Sequence, residues 1–304
     1  MPVADIRATR SRTLFGISVT PYAEAYPQIV EQVALAERLE LDIVGIQDHP
    51  YQRRFLDTFA LIGDLLARTS RLRFFPDVAS LPMRPPPMMA KAAASLDIMS
   101  GGRFELGLGA GAFWDAVAGM GGVRRERGES VAALEEAIAI IRGALDGGPE
   151  RRVVRGTGPH YSVPGYPPGP PPAHRVEIWV GAMGPRMIDL TGRTADGWIA
   201  GGGVSRADEF AAIRSRLDTS AAAAGRDPGD IRRIVNLSGV MMNDSPGDGP
   251  LDGPVAKWVD TLTGWASDLA IDGFIYWPSD AGLDQIERFA TQVVPAVKAN
   301  LQPS

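Results

Sequence analysis

A chain of 304 residues that is 45% hydrophobic can bury one large core or two small ones, and its formal net charge of −5 argues against bulk attraction to nucleic acid or an anionic membrane. The absence of cysteine excludes disulfides, thiolate metal sites and a cysteine nucleophile, suits the cytoplasm, and with only three histidines leaves no metal site to expect. No apolar run reaches membrane-spanning length, Met1 to Arg12 lacks the apolar centre of a secretory leader, and metallopeptidase, P-loop, nucleophile-elbow and nucleic-acid motifs are missing.

The first half of the chain alternates short apolar runs with amphipathic stretches. Strands are predicted over 14–20, 41–47, 72–78 and 104–108. Helices follow over 26–39, 56–67, 88–99 and 129–145, the last with Val131, Leu134, Ile138 and Ile141 on one face. An excursion rich in Pro and Gly then occupies about 147–174. We read it as an ordered insertion and not as a linker, because the alternation resumes after it. Strands over 176–181, 197–200, 231–241 and 273–277 are each paired with a helix, over 185–191, 207–224, 255–269 and 283–299. About eight strand–helix units point to a (β/α)8 TIM barrel, an α/β fold, formed by one domain over 1–304 with an inserted loop region between strand four and strand five.

A repeat supports the barrel. Leu41-Asp-Ile-Val-Gly, Ala195-Asp-Gly-Trp-Ile and Ile271-Asp-Gly-Phe-Ile each open a strand with an aspartate, read as turn hydrogen bonding at the stability face. The rival architecture is a doubly wound sheet, since Gly107-Leu-Gly-Ala-Gly-Ala112 fits a dinucleotide fingerprint. That fingerprint belongs on a first strand running into a helix. Here it stands fourth and precedes the non-periodic stretch 113–122.

The chemistry is sought at the C-terminal strand ends, where barrel ligands bind. In Ser100-Gly-Gly-Arg-Phe-Glu-Leu-Gly-Leu-Gly-Ala-Gly111, Gly101 and Gly102 stop a helix, and Gly107, Gly109 and Gly111 strip a strand end so that something large and flat can approach the backbone. Strand two ends in Asp48-His49, a carboxylate beside an imidazole and a candidate acid–base pair. His160 and His174 flank the excursion and look peripheral. Strand three runs into the proline-stiffened loop 77–87, a wall beside a ligand or simply a rigid loop. Strand five ends in Gly181-Ala-Met-Gly-Pro185, where free N–H groups at a helix start make either an anion site or a plain cap.

These residues resemble the bacterial luciferase-like monooxygenase superfamily, which includes the enzymes that use the deazaflavin coenzyme F420. The resemblance runs from Phe15 to Val297. Its carriers are Ala94 to Gly111, Ile178-Trp-Val-Gly-Ala-Met-Gly-Pro185 and Thr194-Ala-Asp-Gly-Trp198, specific together at this spacing. It implies a barrel with a flavin or deazaflavin across the strand ends, and a cytoplasmic homodimer acting on a small molecule. Asp48-His49 matches the Asp-His of the deazaflavin-dependent dehydrogenases, where the His lies beside the reacting carbon. By the same resemblance Asp77 and Val78 form a bulged cis bond behind the ring, and Ala110, Gly111, Ala112, Gly181, Ala182, Met183 and Gly184 are cofactor-loop positions. The sugar-phosphate dehydrogenases carry Glu where this chain has Ala112, Lys near Val204 and Trp where Arg53 stands, so sugar phosphate is not expected. Phe113, Trp114 and Met183 make the pocket more apolar. The resemblance therefore implies hydride transfer between F420 and a small organic substrate. An FMN-dependent monooxygenase and a non-catalytic flavin-binding protein are the alternatives.

Overall fold

The computed structural model describes residues 13–147, 153–200, 207–242, 249–278 and 282–302, so Val204 and the segment Met1 to Arg12 lie outside the described residues. In chain order the strands are β1 (Leu14–Val19), β2 (Ile43–Ile46), β3 (Arg73–Pro76), β4 (Ala79–Ser80), β5 (Leu106–Gly109), β6 (Val154–Thr157), β7 (Ser162–Tyr166), β8 (Ile178–Ala182), β9 (Gly197–Ala200), β10 (Arg232–Ser238) and β11 (Gly273–Trp277). Between them run α1 (Tyr26–Arg38), α2 (Thr58–Arg68), α3 (Pro86–Ser100), the short α4 (Trp114–Gly119), α5 (Arg127–Leu145), α6 (Pro185–Thr194), α7 (Ala207–Ala223) and α8 (Val255–Leu269). The last helix, α9 (Leu283–Arg288), passes through a π turn into α10 (Val294–Asn300).

All strands but the β6–β7 hairpin belong to one parallel sheet, ordered β3-β2-β1-β11-β10-β9-β8-β5-β4. The sheet closes on itself where Phe74 of β3 bridges Phe104, with Phe74 N–H donating to Arg103 O at 2.9 Å and Glu105 N–H to Phe74 O at 2.9 Å. β4 continues β3 beyond the turn at Asp77 and pairs with β5. The result is a TIM barrel, and the doubly wound sheet is excluded by closure. No helix among the described residues is long and apolar enough to cross a membrane.

Element ends follow local chemistry. The Asp57 carboxylate caps α2 by accepting from Ala60 N–H at 3.0 Å, Glu126 and Glu129 form a capping box at α5, and Gly101 ends α3 in the left-handed region at φ +72. The three repeated aspartates behave alike. Asp42 accepts from Phe15 N–H at 3.0 Å, Asp196 from Ile178 N–H at 2.8 Å and Asp272 from Arg233 N–H at 3.0 Å. Each thus ties the start of its own strand to that of the neighbour.

The interior is layered. Phe75, Trp179, Ile199, Ile234 and Ile275 fill the barrel middle with Leu14 and Ile43. Below them the base holds charges: Arg73 pairs with Glu105, Glu177 accepts from Trp179 Nε1 at 2.8 Å, and Arg232 lies 3.6 Å from both Glu177 and Asp272. His174 joins this base, its Nδ1 2.6 Å from Asp97 and its Nε2 3.0 Å from Glu105. It is away from the mouth, as expected, yet it pins the end of the excursion to two fully buried carboxylates.

Three segments differ from the sequence reading. The excursion carries the antiparallel β6–β7 hairpin, whose mostly exposed residues leave no alternating apolar pattern to read. The stretch 113–122 contains α4, too short to display a helical period. The strand expected over 231–241 ends at Ser238.

Candidate active site

The strand alternation that sends Ile43, Phe75, Ile234 and Ile275 inward also sends inward the residues two further along each strand. Continued in steps of two to the C-terminal end, this reaches Ser18 on β1, Gly45 on β2, Asp77 after β3, Gly109 on β5, Gly181 on β8, Asn236 on β10 and Trp277 on β11. They form the floor of the barrel mouth, and it has two halves.

One half is apolar. The Asp77–Val78 peptide is cis, as the resemblance implied, and Val78 packs against the inner apolar cluster. A Cβ on Gly109 would stand 2.7 Å from Val78 Cγ2, and one on Gly181 would stand 3.1 Å from it. The glycines of the β5 end thus make room first for this chain itself. Gly107 admits the Pro76 carbonyl, Gly109 admits Val78, and Gly111, at φ +111, sits against Pro82 and Trp114. To the expectation that they bare the backbone for a flat ligand, the structure adds a packing reason: Val78, beyond the turn at Asp77, fills the space beside Gly109 and Gly181.

The other half is polar. Asn236 Nδ2 donates to Asp77 Oδ1 at 3.2 Å, and the Ser18 hydroxyl lies beside them, donating to Gly45 O at 3.3 Å. Asp77 Oδ2 and Asn236 Oδ1 are buried with no hydrogen-bond partner among the described residues. Burial pushes the Asp77 carboxyl up to about 6, against the opposing hydrogen bond from Asn236 and the nearby Ser18 hydroxyl.

His49 stands at the end of β2, half-buried, with its ring in T-shaped contact with Phe113 (centroids 5.5 Å apart) and tilted against Phe55 (6.4 Å). Its Nδ1 is 2.8 Å from the Tyr51 hydroxyl. Burial lowers the His49 pKa, opposed by the charge of Asp48. Burial pushes the Tyr51 hydroxyl up to about 12, so it stays protonated at neutral pH. Asp48 turns the other way, as neighbours at a strand end do. Its carboxylate accepts from Ser80 N–H at 2.8 Å and from Arg84 Nη1 at 2.5 Å. The ring of His49 is therefore oriented by Tyr51, and Asp48 acts on it through charge. Tyr51, Ser18 and Asn236 were not singled out in the sequence, although Tyr51 lies only two residues beyond His49.

The loop positions expected to meet a cofactor surround this floor. Ala110 and Gly111 are partly buried, Ala112 is exposed, and Phe113 takes a left-handed conformation at φ +54. Ala182 is buried and its carbonyl accepts from Trp198 Nε1 at 2.8 Å. Met183 is exposed, and Gly184 begins α6, whose first N–H groups have no side-chain cap. The floor fits a flat heteroaromatic ring that has an apolar face and N–H donors, and the α6 start fits an anion.

Comparison with known proteins agrees with this architecture. A family model described as luciferase-like monooxygenase matches residues 11–246. The chain is 31% identical over 222 residues to a 5,10-methylenetetrahydromethanopterin reductase of Methanolobus tindarius, covering 71% of this chain and 62% of the relative. It is 30% identical over 216 residues to an F420-dependent glucose-6-phosphate dehydrogenase of Microbacterium testaceum, covering 69% and 63%. It thus spans less than two thirds of the length of these curated relatives. An F420-dependent secondary alcohol dehydrogenase, solved with an F420–acetone adduct, shares the fold with a TM-score of 0.82 at 17% identity, covering 94% of this chain and 99% of that one. With the barrel, the glycine-lined mouth and the family match over most of its length, the chain belongs to the luciferase-like monooxygenase family.

Proposed function

We propose that this protein is an oxidoreductase transferring hydride between coenzyme F420 and a small organic substrate. The observation that carries the reading is His49, a half-buried imidazole held by Tyr51 beside the two-sided floor, in a chain similar to two relatives whose names describe F420-linked or pterin-reducing enzymes. When bound, the deazaflavin supplies the carbon that gives or takes hydride. Val78 would back its ring from below, over Gly109 and Gly181. Asp77 and Asn236 offer unpartnered acceptors to a donor edge. Ala110, Gly111 and Ala112 would line one side, with Gly181, Ala182, Met183 and Gly184 on the other. The uncapped α6 start suits a phosphate.

His49 is the acid–base group of this reading. Its lowered pKa keeps the imidazole neutral near pH 7. With the protonated Tyr51 hydroxyl on Nδ1, Nε2 is left to meet the substrate heteroatom whose charge changes as hydride arrives or departs. Asp48 contributes a negative charge behind the ring and lies outside the reacting space. Ala112 in place of a carboxylate, together with Phe113 and Trp114, supports an apolar substrate and not a sugar phosphate. The resemblance extends the reading to a homodimer, and the absence of cysteine suits the cytoplasm.

The second reading is an FMN-dependent monooxygenase, supported by the description of the family model. Anaerobic mixing of the protein with reduced F420 and a panel of ketones, aldehydes and imines, followed through the coenzyme's visible absorption, tests the first. Transfer to any of them supports it. Oxygen consumption with reduced FMN, and no F420 turnover, replaces it by the second. A bound cofactor without turnover under either condition favours a non-catalytic flavin-binding protein.

A further inference from the structure

Arg84 belongs to the proline-rich loop after β4, 36 residues from Asp48, and the fold brings its guanidinium to the back of the site. Nη1 lies 2.5 Å from Asp48 Oδ2 and Nη2 lies 2.6 Å from Asp57 Oδ2. The guanidinium covers the Phe59 ring at 4.7 Å, which fixes the plane of the fork. Asp48 is almost fully buried, and its Oδ1 has no partner among the described residues. Burial pushes this carboxyl towards protonation, and Arg84 with the Ser80 N–H opposes that push. The charged and titratable groups around the Asp48–His49 dipeptide are Arg84, Asp57 and Tyr51. Among the described residues Arg84 is the cation in contact with Asp48.

We propose that Arg84 is a positioning residue whose cation, paired with Asp48, disfavours the first protonation of the Asp48–His49 pair on either member. The proline-rich loop then does more than stiffen the mouth: it delivers a counter-charge that acts on the acid–base pair through Asp48, without touching His49. Removal of a cation beside a buried carboxylate raises the proton affinity of the adjacent pair, whichever member carries the proton. The effect on the pair is therefore defined even though its two groups titrate together.

The test is side-chain NMR titration of the full-length protein, following the His49 imidazole and the Asp48 carboxyl carbon from pH 4 to 8, with His49→Asn to assign the imidazole. In Arg84→Met the first protonation of the pair moves up by about one pH unit or more. In Arg84→Lys, which keeps the charge, most of that shift is abolished. Arg84→Gln keeps a hydrogen bond to Asp48 without the charge, serves where the methionine variant does not fold, and shows the same upward shift. A simple clamp between the loop and α2 would lower thermal stability and leave the titration where it was. A pair that titrates within 0.2 units of wild type, or a lysine variant that shifts as far as the neutral ones, overturns the proposal. The role of His49 rests on the proposed function, but this titration does not. If turnover is found, the acid limb of its pH profile moves with the NMR value. If none is found, the NMR result stands alone.

Discussion

His49 and Asp77 are two titratable groups that the mouth places in different surroundings. Burial keeps the His49 imidazole neutral, and its neighbours Tyr51 and Phe113 fix its plane without charging it. His49→Ala should leave F420 affinity within a few-fold and lower single-turnover hydride transfer by roughly a hundredfold, the usual size of a lost acid–base contribution. An unchanged rate would make His49 a packing residue. Asp77 gives a prediction on stability. Its carboxyl titrates near 6 in the fold against an ordinary value of 3.8. Between those values the folded chain holds more protons than the unfolded one, so stability falls as pH rises through that window, and the penalty is complete above it. Asp77→Asn removes the penalty. Urea unfolding should show the variant more stable than wild type by about 2–3 kcal/mol at pH 8, with the gain fading towards pH 4. An equal difference at both pH values would mean that Asp77 does not titrate as described. The Asp48-His49 dipeptide was legible because both residues sit together at a strand end. Arg84 against Asp48 and Phe113 against the imidazole were not, since those contacts bring separate loops together, and Tyr51 was missed because sequence does not show which way a loop side chain turns.

At the level of elements, the mouth depends on how the turn at Asp77 fits against β5 and β8. Gly109 and Gly181 are small because Val78 occupies the space above them. Gly109→Ala would put a methyl group 2.7 Å from Val78 Cγ2, so the valine would have to move. The expected outcome is a loss of about 1–3 kcal/mol in unfolding free energy and a weakened cofactor affinity. In Val78→Ala with Gly109→Ala the clash is gone, so the double variant should be less destabilised than the sum of the two single changes. Strict additivity would place Val78 elsewhere. The order of strands and helices was readable because each core helix carries one apolar stripe and each barrel strand is a short apolar run. The same logic failed at β6, β7 and α4, where little is buried and no period forms. The glycine string was recognised as a ligand-facing strand end, but sequence alone could not reveal that its first demand is room for Pro76 and Val78.

The whole barrel separates its two ends. The base is a buried network of ion pairs among Arg73, Glu105, Glu177, Arg232, His174 and Asp97, in which Arg232 Nε and Nη1 lack a hydrogen-bond partner among the described residues. At the mouth, Asp48 Oδ1, Asp77 Oδ2, Ser80 Oγ and Asn236 Oδ1 are likewise left without partners among the described residues. Buried polar atoms are ordinarily paired, and Asp77 Oδ2 and Asn236 Oδ1 are the ones that a ligand entering the mouth would meet. The central claim is that this ligand is a deazaflavin. The direct measurement is titration of the cofactor-free protein with F420 and, in parallel, with FMN, followed by quenching of its six tryptophans. The account predicts that F420 binds at least about ten times more tightly, a difference of roughly 1.4 kcal/mol. Stoichiometric FMN retained through purification, with no binding of F420, would contradict it.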